Sequence, residues 1–215
     1  MGIPAYFSHL IKENRSVLKS ISQNSHLNPT HLFLDSNSII YDVIREQPYT
    51  ANNNATYEKD CIHEICKQIK YYISLVKPSK FTYVAFDGVA PVAKLKQQQS
   101  RRYKNDFLKR KFAKKDPEWN TSAITPGTSF MASLSSEVTK YFANKTNVIV
   151  SASNKFGEGE HKIFNYIREV GNIKSDDTIF VYGLDADLIM LTLSHLSYCQ
   201  NMYLFRETPH FIRSI

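Results

Sequence analysis

Apolar residues recur along this chain in two rhythms, and the alternation between them predicts the fold. Ile62, Ile65, Cys66, Ile69, Ile73 and Val76 return at intervals of three and four, which marks one buried face of a helix over 58–76 closed by Pro78. Other apolar runs are short and unbroken. His31-Leu32-Phe33-Leu34, the run from Phe81 to Phe86, Asn147 to Ser151, Thr178 to Tyr182 and Met202 to Phe205 read as buried strands. Helical spacing fills the intervals. Residues 4–22 suit one or two short amphipathic helices. Phe130, Met131, Leu134, Val138 and Phe142 make another, as do Ile163, Phe164 and Ile167, and then Leu188 with Leu191. A basic segment after Pro91 predicts a helix reaching about Lys115, where Asp116-Pro117 breaks it. The Asn-rich residues 46–56 predict a mobile loop. Strands alternating with helices imply an α/β domain with a mostly parallel central sheet and helices on both faces. The length of 215 residues fits one such domain.

Ligands of open α/β sheets bind beyond the carboxyl ends of the strands. Asp35, Asp87, Asp185 and Asp187 occupy such ends, and Glu158 and Glu160 sit where a loop enters a helix. Taken singly, each reads as well as a helix cap or turn residue. Together they bring carboxylates from four separate elements to one edge, where they repel one another unless cations are present. Oxygen ligands favour magnesium or manganese, and two such ions can drive phosphodiester cleavage. His161 reads as a hydrogen-bonding residue rather than a ligand.

Composition sharpens this. Lys and Arg total 27 against 20 Asp and Glu, a net charge of +7 that suits a polyanionic partner without requiring one. On the basic helix, Lys94, Gln98, Arg101 and Arg102 fall within an arc of about 100°. A solvated surface explains many such faces. An ammonium, an amide and two guanidinium forks also suit a terminal phosphate. Tyr41 is either a core residue or a ring for base stacking. Cys61, Cys66 and Cys199 lack paired spacing, so neither a disulfide framework nor a cysteine zinc site is expected, in keeping with a reducing compartment. No apolar run is long enough to span a membrane, and Tyr6 spoils a myristoylation motif at Met1-Gly2. The expectation is a soluble intracellular protein, cytoplasmic or nuclear.

The motifs resemble those of the XRN-type 5′→3′ exoribonuclease family across nearly the whole chain. They begin with Met1-Gly2-Ile3-Pro4 and continue through Leu34-Asp35-Ser36-Asn37 and Phe86-Asp87-Gly88-Val89-Ala90-Pro91. Ser100-Arg101-Arg102, Ile124-Thr125-Pro126-Gly127-Thr128, Gly157-Glu158-Gly159-Glu160-His161-Lys162 and Tyr182-Gly183-Leu184-Asp185-Ala186-Asp187 follow in order. The resemblance implies magnesium-dependent, processive digestion of RNA bearing a 5′ monophosphate. It makes Asp35, Asp87, Glu158, Glu160, Asp185 and Asp187 the metal-cluster and catalytic positions. It assigns Lys94, Gln98, Arg101 and Arg102 to the 5′-phosphate pocket, with Asn37 and Tyr41 also on the substrate side.

This chain departs from the family at Val92 and Gln99, where arginine is usual, and at Tyr41, where a histidine is typical. It also carries no match to the family's downstream Gly-Asn-Asp-Phe block or second conserved region. The expectation is therefore an N-terminal nuclease domain over 1–215, apparently truncated. Two other readings stay open: a flap-type, structure-specific DNA nuclease, and a module that binds 5′-phosphorylated RNA ends without cleaving them.

Overall fold

The computed structural model describes residues 5–21, 27–49, 53–111, 119–170 and 172–207, with the backbone alone at 93, 101, 102, 105, 106, 109 and 110. Five strands form the core: β1 (His31–Asp35), β2 (Phe81–Ala85), β3 (Val148–Ser151), β4 (Thr178–Tyr182) and β5 (Asn201–Phe205). Their order is β3-β2-β1-β4-β5, and every neighbouring pair is parallel. The chain steps outward from β1 to β3, then crosses back to lay β4 on the other side of β1. The strand order therefore reverses between β1 and β4, and it is outside the carboxyl ends of strands at such a switch point that open α/β sheets bind ligands.

Seven helices accompany the sheet among the described residues: α1 (Tyr6–Glu13), α2 (Asn37–Glu46), α3 (Asn54–Val76), α4 (Val92–Lys111), α5 (Ser129–Phe142), α6 (Gly159–Glu169) and α7 (Asp187–Ser194). Side chains alternate across a strand, so each strand feeds two cores. Leu32, Leu34, Val84 and Tyr182 pack under α2, α3 and α5 on one face. Phe33, Ala85 and Val181 pack on the other with Ile163, Phe164 and Ile167 of α6 and Leu188 of α7. Leu32, Phe33 and Leu34 are fully buried, as a strand covered on both faces requires.

The structure amends the sequence reading at two places. A helix, α2, occupies residues to which the pattern assigned no element; Ile39, Ile40 and Val43 are its buried face. The predicted loop at 46–56 ends early. Asn53 accepts hydrogen bonds from the backbone N–H groups of Ala55 and Thr56 and so caps α3, which starts at Asn54 rather than at 58. Residues 50–52 lie outside the described set, as do 112–118, where the basic helix was expected to end. That helix does begin as Pro91 predicted, with the Pro91 carbonyl accepting from the N–H groups of Lys94 and Leu95. All three cysteines are buried and free.

Candidate active site

The topology carries all six acidic residues to the carboxyl edge of the sheet or to a helix that starts there. Asp35 ends β1, and Asp87 follows β2 by two residues. Glu158 is the N-cap of α6 and Glu160 lies in its first turn, while Asp187 opens α7. Asp185, the sixth, lies in the link from β4 to α7. Two loops are tied together to hold this edge. The N–H of Gly88 donates to the Gly157 carbonyl at 2.8 Å, and the N–H of Gly157 donates to the Val89 carbonyl at 3.1 Å. Gly88 allows the approach, because a Cβ there would stand 1.7 Å from the Lys155 carbonyl oxygen. Gly157 turns with a φ of 98°, a conformation that glycine adopts without strain.

Asp87 is the most constrained of the group. Its Oδ1 accepts the Gly159 N–H at 2.7 Å, at the N-terminus of α6, where the helix dipole favours an anion. Its Oδ2 accepts from Asn37 Nδ2 at 2.7 Å, and its own N–H donates to Asn37 Oδ1 at 3.0 Å. Asn37 thus serves Asp87 here, in addition to any part in binding substrate. Asp35 presses on the same spot: a Cβ on Gly159 would lie 2.4 Å from Asp35 Oδ1.

Crowding shows in the protonation equilibria. Burial first, then the charges of Asp87, Glu160 and Asp185, push the Asp35 carboxyl well above the ordinary range. Burial also raises Asp87, against the hydrogen bond from Gly159. Burial raises Glu160, with Glu158 and Asp187 adding to it and Lys94 and His161 opposing it. The six carboxylates are therefore electrically linked.

Lys94 and His161 modify the sequence picture. The Lys94 ammonium lies 2.9 Å from Glu158 Oε2 and 3.9 Å from Glu160 Oε1. It was expected to hold a phosphate; in this structure it balances the acidic edge. Burial works against its charge, but Glu158, Glu160 and Asp87 outweigh that and hold its proton more tightly. Glu158 is 6% exposed, and its Oε2 is fully buried with the lysine contact but no well-formed hydrogen bond. His161 Nδ1 stands 3.5 Å from that same oxygen. Glu158, Glu160 and His161 form a ligand-sized group whose donor atoms lie within 4.8 Å of one another; among the described residues it does not extend to the four aspartates. A buried carboxylate oxygen faced by an ammonium and an imidazole, beside a second carboxylate, fits a divalent cation.

The remaining expected residues are more dispersed. Gln98 lines a cleft of about 300 Å³ with Val89, Ala90, Leu95, Thr125 and Pro126. Arg101 and Arg102 lie on α4, but their side chains fall outside the described set. Tyr41 is on α2 and 40% exposed. Two further cations emerge that the sequence reading did not single out. Lys162 is buried on α6, and desolvation lowers its ammonium to about 8. Arg206 stacks on the Phe7 ring, 3.7 Å from its centroid, and donates to the Leu184 carbonyl at 3.0 Å, just before Asp185. Helical spacing gave no signal for Lys162: it stands about 100° round α6 from Ile163 and about 140° from Ile167, and its burial comes from the loops after β2 and β3 that pack against it.

Fold and site together define an α/β domain with a crowded acidic edge at the point where its parallel strands reverse order. The chain belongs to the family described as XRN 5′-3′ exonuclease N-terminus, whose pattern matches residues 1–208. It is 34% identical over 216 residues to 5′-3′ exoribonuclease 1 of Saccharomyces cerevisiae, covering 90% of this chain and 14% of that protein. It is 30% identical to 5′-3′ exoribonuclease 2 of Emericella nidulans, covering 90% and 24%. A 5′-3′ exoribonuclease 2 homolog of Caenorhabditis briggsae is 32% identical, covering 90% and 25%. The chain thus spans between a seventh and a quarter of these relatives. Among the described residues, no helix is long and apolar enough to cross a membrane.

Proposed function

We propose that this protein is a 5′→3′ exoribonuclease that hydrolyses RNA carrying a 5′ monophosphate to mononucleotides, in RNA decay or processing. Residues 1–215 correspond in this reading to the family's N-terminal nuclease domain. The observation that carries the proposal is the acidic edge itself, built by a chain of this family from Asp35, Asp87, Glu158, Glu160, Asp185 and Asp187 at the strand ends. Glu158, Glu160 and His161, with the aspartates beside them, would hold magnesium or manganese, and two ions suit the number of carboxylates. Such ions supply a Lewis acid and an activated water for phosphodiester cleavage.

The protein's own groups do the rest. Asn37 and Gly159 fix the Asp87 carboxylate in one orientation. With a cation held by Glu158 and Glu160, the Lys94 ammonium would be available to a phosphate oxygen, with Gln98 one turn further along α4. Arg101 and Arg102 follow on the same helix and complete a clamp for the terminal phosphate. The exposed Tyr41 ring on α2 offers a stacking surface to the end nucleotide without reading its sequence.

The test is degradation of one labelled RNA carrying a 5′ monophosphate, triphosphate or hydroxyl, in magnesium and in chelator, with Asp87→Ala alongside. The proposal expects magnesium-dependent loss of the monophosphate RNA alone, reduced by at least about 100-fold in Asp87→Ala. Equal loss of all three RNAs would contradict it. Binding of the monophosphate end without turnover would place the protein among end-binding modules, and faster cleavage of a DNA flap among structure-specific nucleases.

A further inference from the structure

The buried lysine of α6 has no part in the chemistry described so far, yet it touches the element that presents Asp87. Lys162 is 7% exposed. Its Nζ donates to the Phe86 carbonyl at 2.7 Å and to the Ala152 carbonyl at 2.9 Å. These are the first carbonyls beyond β2 and β3, which end at Ala85 and Ser151. One ammonium therefore ties together the two strand ends next to the acidic edge.

The Phe86 carbonyl belongs to the peptide unit whose N–H is that of Asp87. Asn37 Oδ1 accepts that N–H at 3.0 Å. The peptide plane is thus held at both ends, by Lys162 through its oxygen and by Asn37 through its nitrogen. Beyond it, the carboxylate is held on both oxygens, by the Gly159 N–H and by Asn37 Nδ2. Gly159 and Lys162 lie one turn apart on α6, so this helix grips Asp87 from its backbone and from its side chain at once. A peptide plane and a carboxylate each fixed at two points leave Asp87 no rotation, which is the condition for a ligand that must meet a cation in one geometry. Burying an ammonium is costly, and the two carbonyls that accept from it offset that cost.

We infer that Lys162 is a positioning residue of the active edge, fixing through the Phe86 and Ala152 carbonyls the strand end from which Asp87 reaches the cation and the substrate. The inference rests on the exoribonuclease reading for its kinetic consequence and on the geometry alone for its effect on cation binding.

The experiment compares wild type, Lys162→Met, Lys162→Gln and a remote core truncation, Ile65→Ala in α3, all assayed below their melting temperatures. It reads kcat and KM on 5′-monophosphate RNA and the rise in Tm on adding manganese. Lys162→Met is expected to lower kcat by about tenfold or more with KM within about threefold, and to cut the manganese-induced rise at least by half. Lys162→Gln, which keeps an N–H donor on a shorter stem, serves if Lys162→Met does not fold, and the same losses are expected of it. Ile65→Ala should lower Tm yet keep kcat and the manganese response within about twofold of wild type. A kcat within threefold of wild type in a folded Lys162 variant overturns the inference. So do equal losses in Ile65→Ala, which would reduce Lys162 to general stability. If wild type degrades no RNA, the exoribonuclease reading falls, while an undiminished manganese response in the Lys162 variants would separately overturn the positioning role.

Discussion

Asp35 shows what this site costs at the scale of a residue. Its carboxyl is partly buried, faces three other carboxylates and is pushed well above its ordinary range. The folded state therefore holds the Asp35 proton more tightly than the unfolded chain does. It loses stability as pH rises from the ordinary carboxylate value, about 4, through the folded value. Asp35→Asn removes the charge and keeps an acceptor for the backbone N–H of Asn37. In chelator at neutral pH this variant should be more stable than wild type by about 0.5–2 kcal/mol, the usual size of a gain made by relaxing a strained functional site. The gain should vanish as the pH falls to about 4. RNA hydrolysis should be lost throughout. Denaturant melts across pH would show this, and a destabilised Asp35→Asn at neutral pH would contradict it. Residue by residue, the carboxylates were legible in the sequence because each follows an apolar strand or opens a helix. Lys162 and the pairing of Lys94 with Glu158 were not, since both depend on which loops the crossovers bring together.

At the scale of elements, the site is two loops laced through glycine. The loop after β2 carries Asp87 and the loop after β3 carries Glu158, and the exchange between Gly88, Gly157 and Val89 joins them. Gly88→Ala would drive a methyl group into the Lys155 carbonyl, which is backbone and cannot swing aside. Overpacking of this kind costs about 1–3 kcal/mol. The expected outcome is a fall in Tm together with a loss of hydrolysis larger than the lost stability explains, read from kcat well below Tm. A variant with normal kcat would show that the two loops act independently. The strands and most helices could be read from spacing, because buried strands leave short apolar runs and α3 keeps one apolar face over many turns. The α2 helix escaped because Ile39, Ile40, Val43 and Ile44 follow directly on the Asp35-Ser36-Asn37 turn, and the polar residues between them mask a face only ten residues long. The capping role of Asn53 was hidden for a related reason: an Asn-rich run reads as loop until one of its members is seen accepting from the next turn.

For the molecule as a whole, the strand order β3-β2-β1-β4-β5 is what turns scattered acidic residues into a site. Asp35 lies on the central strand, Asp87 on one side of it and Asp185 on the other, so the point where the order reverses lies in their midst. The sequence predicted a parallel sheet but could not supply its order, which depends on crossovers rather than on local pattern. The net charge of +7 suits a polyanionic partner, and under the proposed function its reacting phosphate would meet cations at this negative edge. The central claim is hydrolysis from the 5′ end at this edge. The most direct measurement is a time course on one 5′-monophosphate RNA labelled at the 5′ terminus in one sample and at the 3′ terminus in another, in magnesium. The account predicts that 5′ label appears at once as mononucleotide, while 3′ label stays in long RNA until the strand is nearly consumed. Early release of 3′-labelled mononucleotide, or internal fragments carrying the 5′ label, would contradict it.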